Sequence, residues 1–156
     1  MGEEEIPLLY FFLTNANRRG KQIWSKLWRI IRKANPVVAT ALTAKHIEDF
    51  KATATWHRHP ANLRIFYSDG IKFLADSASC WWLVDDIVSA QTFGMISASK
   101  FQIWILEKTG KKSAVLRCES EHGTILFKKT VCYTEFPLPR VVIYVVGKTI
   151  MLASEY

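Results

Sequence analysis

Hydrophobic and polar positions divide the chain at about residue 42. Residues 1–42 hold an acidic start, an apolar run and a basic stretch that Asn35-Pro36 interrupts. At about 100° per residue, the apolar residues from Ile23 to Ile31 fall on an arc of about 160°, with basic residues opposite. This pattern predicts a basic amphipathic helix that ends before Pro36. We therefore predict an N-terminal extension, residues 1–42, and one domain, residues 43–156.

The predicted N-terminal helix concentrates positive charge. It and its approach carry seven basic residues and no acid, as many charges as the formal net charge of +7: Arg18, Arg19, Lys21, Lys26, Arg29, Arg32 and Lys33. Such a helix can cap its own domain, fill the groove of a partner, bind nucleic acid or lie on an anionic membrane. We favour the first of these, and we rank the membrane below nucleic acid and a partner.

Two helices, with a hairpin between them, are predicted in the first part of the domain. Thr43 is typical of the N-cap of a short helix. Residues 63–67 and 71–75 have β-type composition, and the Asp69-Gly70 pair between them predicts a tight hairpin. The pattern of residues 78–91 then predicts the central helix.

The remainder of the domain has the pattern of an antiparallel sheet. Five β-type runs separated by turn residues are predicted at 101–107, 114–119, 124–134, 141–146 and 149–153. We therefore predict an α+β fold, in which an antiparallel sheet of five or more strands, ending in a C-terminal meander, packs on the central helix.

Composition narrows the class of protein. Apolar residues make up 49% of the chain and aromatic residues 13%, too much for a disordered protein. No apolar run approaches the roughly 20 residues of a spanning helix, and the acidic start does not resemble a secretory signal. Cys80, Cys118 and Cys132 are an odd number without metal-ligand spacing. These observations predict a cytoplasmic protein with reduced thiols.

Candidate chemistry is sparse. His57 and His59 share one face of a strand, but no further ligands stand at a spacing that completes a zinc site. Asp85 and Asp86 project about 100° apart on a helix and cannot converge as a catalytic pair without help. Cys80 has apolar neighbours, typical of an inert buried thiol. We predict no catalytic residue, metal or cofactor, and leave the role of the two histidines open.

Trp82 does not fit the predicted core. The helical projection turns Trp81 toward the sheet and places Trp82 on the opposite side with Asp85 and Asp86. An exposed indole ringed by polar groups is typical of an interface. We expect Trp82 to be covered by the N-terminal helix, through Trp24 and Trp28, or by a protein partner or a second copy of the chain.

A second set of aromatic residues has two interpretations. Phe101, Trp104, Phe127 and Tyr144 lie on predicted strands and could form either a base-stacking platform or the core. We favour the core.

The domain resembles a family of small uncharacterised proteins from bacterial genomes, plasmids and phages. The resemblance covers residues 42–156, and its residues are Phe50, Thr53, Thr55-Trp56-His57-Arg58-His59-Pro60, Tyr67-Ser68-Asp69-Gly70, Trp82-Leu83-Val84-Asp85-Asp86-Ile87, Trp104, Tyr133-Thr134-Glu135-Phe136-Pro137-Leu138-Pro139 and Ser154-Glu155-Tyr156. Lys51-Ala52 departs from the glycine expected there. The resemblance implies a setting on mobile elements and no particular activity.

These observations favour a binding protein over an enzyme. The leading hypothesis is a non-catalytic protein of mobile-element type that binds a macromolecular partner, of the kind that inhibits a host defence complex. It uses Trp82 with Asp85 and Asp86, or the basic helix. The alternative is a nucleic-acid-binding accessory protein whose basic helix contacts phosphates. An enzyme ranks third.

Overall fold

The computed structural model describes residues 42–51 and 53–156. The predicted basic helix, with Trp24 and Trp28, lies outside the described residues. The helices are α1 (Ala44–Glu48), α2 (Asp69–Ser77), α3 (Trp81–Ala90) and α4 (Gly94–Ala98), and a 3-10 helix spans Ala153–Glu155. The strands are β1 (Trp56–His59), β2 (Asn62–Ser68), β3 (Phe101–Lys108), β4 (Ala114–Ser120), β5 (Ile125–Val131), β6 (Arg140–Val146) and β7 (Thr149–Leu152).

These seven strands form one mixed sheet in the order β1-β2-β7-β6-β3-β4-β5. Every neighbouring pair is antiparallel except β2 and β7, which run parallel. The α+β class and the dominance of antiparallel pairing are therefore confirmed. The prediction did not include the parallel contact, which joins the first hairpin to the last strand of the chain.

The C-terminal strands do not form the continuous meander that we predicted. Strands β3, β4 and β5 follow one another, but β6 returns across the sheet to pair with the other side of β3. The burial of the two strands explains the order. β6 alternates between buried and partly buried positions, whereas most of β5 is exposed. An apolar strand takes a central position and a polar one takes the edge.

The predicted hairpin around Asp69-Gly70 is wrong. Residues 71–75 belong to α2, and the Ser68 hydroxyl caps that helix by accepting the Ile71 N–H at 3.2 Å. Ile71, Leu74 and Ala75 are buried, which is the i, i+3, i+4 spacing of a helix. The first hairpin instead joins β1 to β2.

The central helix begins later than predicted. Residues 78–80 form a corner between α2 and α3, and Ser79 has a φ of 49°, which no regular right-handed helix contains. The helix therefore starts at Trp81. The corner turns the chain so that both helices contribute to one core.

The core occupies one face of the sheet, which we call the helix face. Leu83 and Ile87 of α3 pack there with Trp104 of β3 and Leu116 of β4, all nearly inaccessible. The opposite face, which we call the open face, carries the alternate strand positions, such as Phe101, and these lie outside the core cluster. Of the helices in the described residues, those with buried side chains bury them on the helix face.

A buried glutamine joins α3, α4 and β3. The Gln102 side chain is fully buried, and its amide exchanges two 2.9 Å hydrogen bonds with that of Gln91. Gln102 Nε2 also donates to the Ile96 carbonyl at 2.8 Å, and Gln102 Oε1 accepts the Trp104 Nε1–H at 2.9 Å. A buried polar group that is fully hydrogen-bonded specifies one arrangement of its neighbours.

We expect Gln102→Ala to destabilise the protein by about 3 kcal/mol, because it leaves buried groups on three elements without partners. Urea unfolding of the full chain measures the change. Thr130→Ala, an exposed change on β5, is the control and should alter stability by less than about 0.5 kcal/mol. A Gln102→Ala protein as stable as wild type would show that the network contributes nothing.

Candidate functional site

Asp69, the first residue of α2, forms hydrogen bonds with the segment that precedes β1. Its Oδ2 accepts the backbone N–H groups of Ala54 at 3.3 Å and Thr55 at 3.0 Å. Its own N–H donates to Thr53 Oγ1 at 2.9 Å, and its Oδ1 accepts from His57 Nε2 at 2.8 Å. The pKa of Asp69 is lowered, first by the hydrogen bond from His57 and then by the two backbone N–H donors. Asp69 therefore orients the imidazole of His57 from its Nε2 side.

The C-terminal end of the described chain also forms hydrogen bonds with the start of α2. Glu155 Oε1 accepts the Gly70 N–H at 3.2 Å, while Oε2 accepts the Ser68 hydroxyl and the Leu152 N–H. A carboxylate is favourable at this place because helix N–H groups and the helix dipole point at it. The approach requires glycine, since a Cβ on Gly70 would lie 2.6 Å from Glu155 Oε2 and 2.7 Å from Leu152 Cδ1.

Tyr67 lies between the two histidines of β1. His57 stacks on its ring at 5.2 Å, and His59 and Trp81 meet it edge-on at 6.3 and 5.5 Å between centroids. Burial, and next the charge of Asp76, raise the pKa of the Tyr67 hydroxyl. The ring therefore acts as the apolar contact between β1 and the start of α3.

His59 is buried and engaged at both ring nitrogens. Its Nδ1 accepts the Ala61 N–H at 3.3 Å, so the ring proton resides on Nε2, which donates to Asp85 Oδ1 at 3.0 Å. Only 1% of His59 is exposed. This imidazole has no free nitrogen with which to exchange a proton with a substrate, so it ties β1 to α3.

Asp86, which follows Asp85 in α3, contacts the edge of the sheet opposite β1. Asp86 pairs with Lys129 of β5, with Nζ at 2.6 Å from Oδ2 and 2.8 Å from Oδ1. β1 and β5 are the two edge strands, and six strand spacings in a flat sheet span about 29 Å. Adjacent carboxylates reach both edges only if the sheet curls around α3.

The two neighbouring tryptophans differ in their hydrogen bonding. Trp81 Nε1 donates to Asp76 Oδ1 at 2.8 Å. Trp82 packs its ring against the margin of the core and remains partly exposed. Within the described residues its indole N–H has no acceptor, although no buried side-chain nitrogen or oxygen there lacks a partner. The Trp82 N–H therefore faces solvent.

Trp82, Asp85, Asp86 and Lys129 together form what we call the Trp82 surface. Trp82, Asp85 and Asp86 lie within about one turn of α3. Both acids also pair with residues far away in sequence, which the projection does not reveal. Trp24, Trp28 and the basic residues of the predicted nucleic-acid-binding helix (Arg18, Arg19, Lys21, Lys26, Arg29, Arg32 and Lys33) lie outside the described residues.

The two buried cysteines and the two histidines of β1 are poorly placed for chemistry. Burial raises the pKa of Cys80 and Cys118 to about 12, so both thiols are protonated and unreactive. His57 and His59 are held by different carboxylates. In residues 42–51 and 53–156, no three His, Cys, Asp or Glu side chains are grouped so as to hold a metal ion.

The four candidate platform residues divide between the two faces of the sheet. Trp104 is buried on the helix face, where Phe127 packs against it at 5.5 Å. Phe101 and Tyr144 lie on the open face, partly exposed, with ring centroids 5.0 Å apart. The core interpretation therefore holds for two of the four residues.

Sequence reasoning missed the contacts around Asp69. Thr53, Ser68 and Glu155 appear above only among the residues of the family resemblance, and Asp69 appears in addition as part of the predicted hairpin. The spacing of buried residues after Ser68 is the signal that could have identified an N-cap. The partnership with Glu155, across 87 residues from Ser68, has no local signal.

The fold and the site define a small α+β domain whose mixed sheet curls around one helix and whose acidic side chains are held by hydroxyl, imidazole and backbone donors. The chain belongs to DUF6876, a family of unknown function that matches residues 41–156. No curated protein and no solved structure matches the chain. Among the described residues, no helix has the length and apolar character needed to cross a membrane.

We expect Gly70→Ala to destabilise the protein, because the new methyl group must displace the Glu155 carboxylate and the Leu152 side chain. The matched control is Gly94→Ala, also near the start of a helix, where an added Cβ meets nothing within 4 Å. Thermal unfolding should show a melting temperature several degrees lower for Gly70→Ala only. Equal melting temperatures would contradict the close approach of Glu155.

Asp69→Asn tests the charge at the start of α2. Because the Asp69 pKa is lowered in the folded protein, its ionised form contributes stability above the ordinary value of 3.8, and this stability is lost as the pH falls through the folded pKa. Urea unfolding at a series of pH values should show Asp69→Asn less stable at neutral pH, with the difference shrinking in acid. A difference that stays constant with pH would contradict the role of the charge.

Proposed function

We propose that this protein binds another protein through the Trp82 surface and performs no catalysis. The observation that carries the proposal is the partly exposed indole of Trp82, whose N–H has no acceptor within the described residues. A tryptophan buries a large apolar area at an interface and gains a hydrogen bond there. We expect the partner to supply a carbonyl or carboxylate oxygen to Trp82 Nε1.

The rigidity of the surrounding charges supports the proposal. Asp86 and Lys129 hold one another at 2.6 Å, and Asp85 is fixed by the buried His59. Charged groups that are already ordered lose little conformational freedom on binding, and they select partners by charge complementarity. The Trp82 surface thus combines an apolar centre with a fixed polar rim, which is the usual anatomy of a protein interface.

The chemistry of the hydrogen-bonded cluster favours binding over catalysis. The Ser68 hydroxyl donates to Glu155 and accepts from Ile71, so it is not poised as a nucleophile. His59 uses both nitrogens within the fold. A catalytic nucleophile needs a free base beside it, and these groups stabilise the domain instead.

The setting belongs to the same proposal. We propose a cytoplasmic protein of mobile-element type, as in a phage or plasmid accessory protein, with a host defence complex as the class of partner. The buried, protonated thiols of Cys80 and Cys118 fit a reducing compartment. Small proteins of this kind act by occupying a surface of a larger complex, and this comparison is an analogy.

Affinity capture with the tagged full-length protein tests the proposal. At low and high salt, with and without nuclease, wild-type protein should retain a stoichiometric protein partner. Trp82→Ala should weaken the purified complex by roughly 30-fold or more, the effect of losing an interface anchor. Phe93→Ala, which removes a side chain that is 58% exposed just beyond α3, is the control and should bind as wild type.

Stability measurements separate loss of binding from loss of folding. Trp82→Ala should keep a cooperative urea transition, since part of the indole is already exposed. An unfolded Trp82→Ala protein, or a folded one that retains the partner, would contradict the proposal. Recovery of nuclease-sensitive and salt-sensitive nucleic acid in place of a protein would favour the alternative of a nucleic-acid-binding accessory protein.

A further inference from the structure

The outer edge of β5 has no partner strand in the part of the chain that the structure describes. β5 lies at one end of the sheet and pairs only with β4. In an antiparallel pair, every second residue of a strand turns its N–H and C=O groups away from the neighbouring strand. On the outer side of β5 these groups form no backbone hydrogen bond with any other described segment. They can therefore serve as the template for a further strand.

β5 is better suited to pairing than β1, the strand at the other edge. β1 has only four residues, its register shifts between Arg58 and His59, and Pro60 follows it. β5 has seven residues, its register shift lies near its start, and the pairing from Phe127 to Val131 is uninterrupted. A proline and an irregular register protect an edge against pairing, and the regular part of β5 has neither.

The helix-face side of the β5 edge is apolar. Phe127 and Val131 pair with Cys118 and Ala114, which are fully buried, so both side chains point to the helix face. They pack against the margin of the core and are only partly buried. Lys129, which lies between them, is neutralised by its ion pair with α3. A further strand with apolar side chains on this face would complete the burial of Phe127 and Val131.

The open-face side of the same edge is basic. Lys128 lies opposite Arg117 of β4, and Arg117 is paired with Glu107 and Glu119. Lys128 itself is exposed and has no carboxylate partner among the described residues. An acidic side chain beside Lys128 on a further strand would therefore gain a cross-strand ion pair.

A second copy of the chain does not fit this edge. When two β5 strands pair antiparallel about a two-fold axis near their middle, Lys128 and Lys129 of one copy face the lysines of the other. Like charges opposite one another destabilise a strand pair, and lysines on an edge strand oppose self-pairing. The lysines that exclude a second copy are the groups that attract an acidic strand.

We propose that β5 binds an extended segment of another protein, which adds to the sheet as a further strand and alternates acidic with apolar side chains. The acidic side chains lie beside Lys128 on the open face, and the apolar ones cover Phe127 and Val131 on the helix face. Backbone hydrogen bonds supply affinity, and the alternation supplies selectivity. Strand addition at β5 does not use the Trp82 indole, so it can occur whether or not Trp82 binds a partner.

Fluorescence anisotropy tests the pairing with a labelled, capped peptide of alternating valine and glutamate, titrated with the full-length protein. A second peptide has proline in place of the central valine, so it keeps the charge but cannot complete the backbone ladder. It should bind at least about fivefold more weakly, the effect of losing one hydrogen bond or more. Equal binding of the two peptides would show that attraction to basic residues alone holds them, and would overturn the proposal.

Reversing the charge of the edge tests the selectivity. Lys128→Glu should weaken binding of the glutamate peptide by about fivefold and favour a peptide with lysine in place of glutamate. The control is Lys72→Glu, the same exposed change of charge on α2, which packs on β2 and β7, and it should bind as wild type. A folded Lys128→Glu protein, checked by urea titration, that binds the glutamate peptide as wild type does would contradict the role of Lys128.

Amide hydrogen exchange, followed by NMR on the wild-type protein, locates the contact. Alternate amides of residues 127–131 should exchange rapidly in the free protein, and the glutamate peptide should protect the same amides. Protection in the dilute free protein would show that the chain covers its own edge, and protection that grows with protein concentration would show that a second copy does. Either result, or a bound peptide that leaves these amides unprotected, would overturn the proposal.

Discussion

The arrangement of the domain depends on two neighbouring carboxylates of α3. Asp85 accepts a hydrogen bond from the buried His59 of β1, while Asp86 pairs with Lys129 of β5, so a single helical turn is fastened to both edges of the sheet. The two contacts differ in how much they contribute to stability. His59 is withdrawn from water, where an unpaired polar group is costly, whereas Lys129 is 46% exposed and its ion pair is screened. The His59 contact therefore sets the position of α3, and the Lys129 contact completes the curl of the sheet.

The same geometry separates the two faces of the sheet. On the helix side, α3 is fixed with Trp82 at its outer margin and ordered charges beside it. On the other side, the alternation of each strand turns Phe66, Phe101 and Tyr144 away from the core. The Ser68 hydroxyl and the imidazole of His59 are engaged in hydrogen bonds within the fold. A domain that holds a partly exposed indole beside hydrogen-bonded charges is suited to recognition, and the proposal of a protein contact follows from this arrangement.

The sequence predicts this structure where the physics is local. Alternating apolar residues located β3 to β7, and the 3.6-residue period located α3 with Trp82 beside Asp85 and Asp86. The prediction failed at α2, because an Asp-Gly pair suits both a hairpin and a helix start. It also failed at β6, because the burial of a strand, and not its order in the chain, determines its neighbours in the sheet. The cluster that joins Thr53, Asp69 and Glu155 is beyond any local pattern, since its members are up to 102 residues apart. The predicted basic helix stays a prediction.

A double-mutant cycle on His59→Ala and Asp85→Ala tests most directly whether this hydrogen bond positions α3. Urea unfolding of the wild type, both single variants and the double variant gives the coupling free energy between the two side chains. A buried hydrogen bond that fixes the helix predicts coupling of about 1 to 3 kcal/mol. Additive effects of the two substitutions would show that α3 holds its place without His59, and the account of the curled sheet would then be wrong.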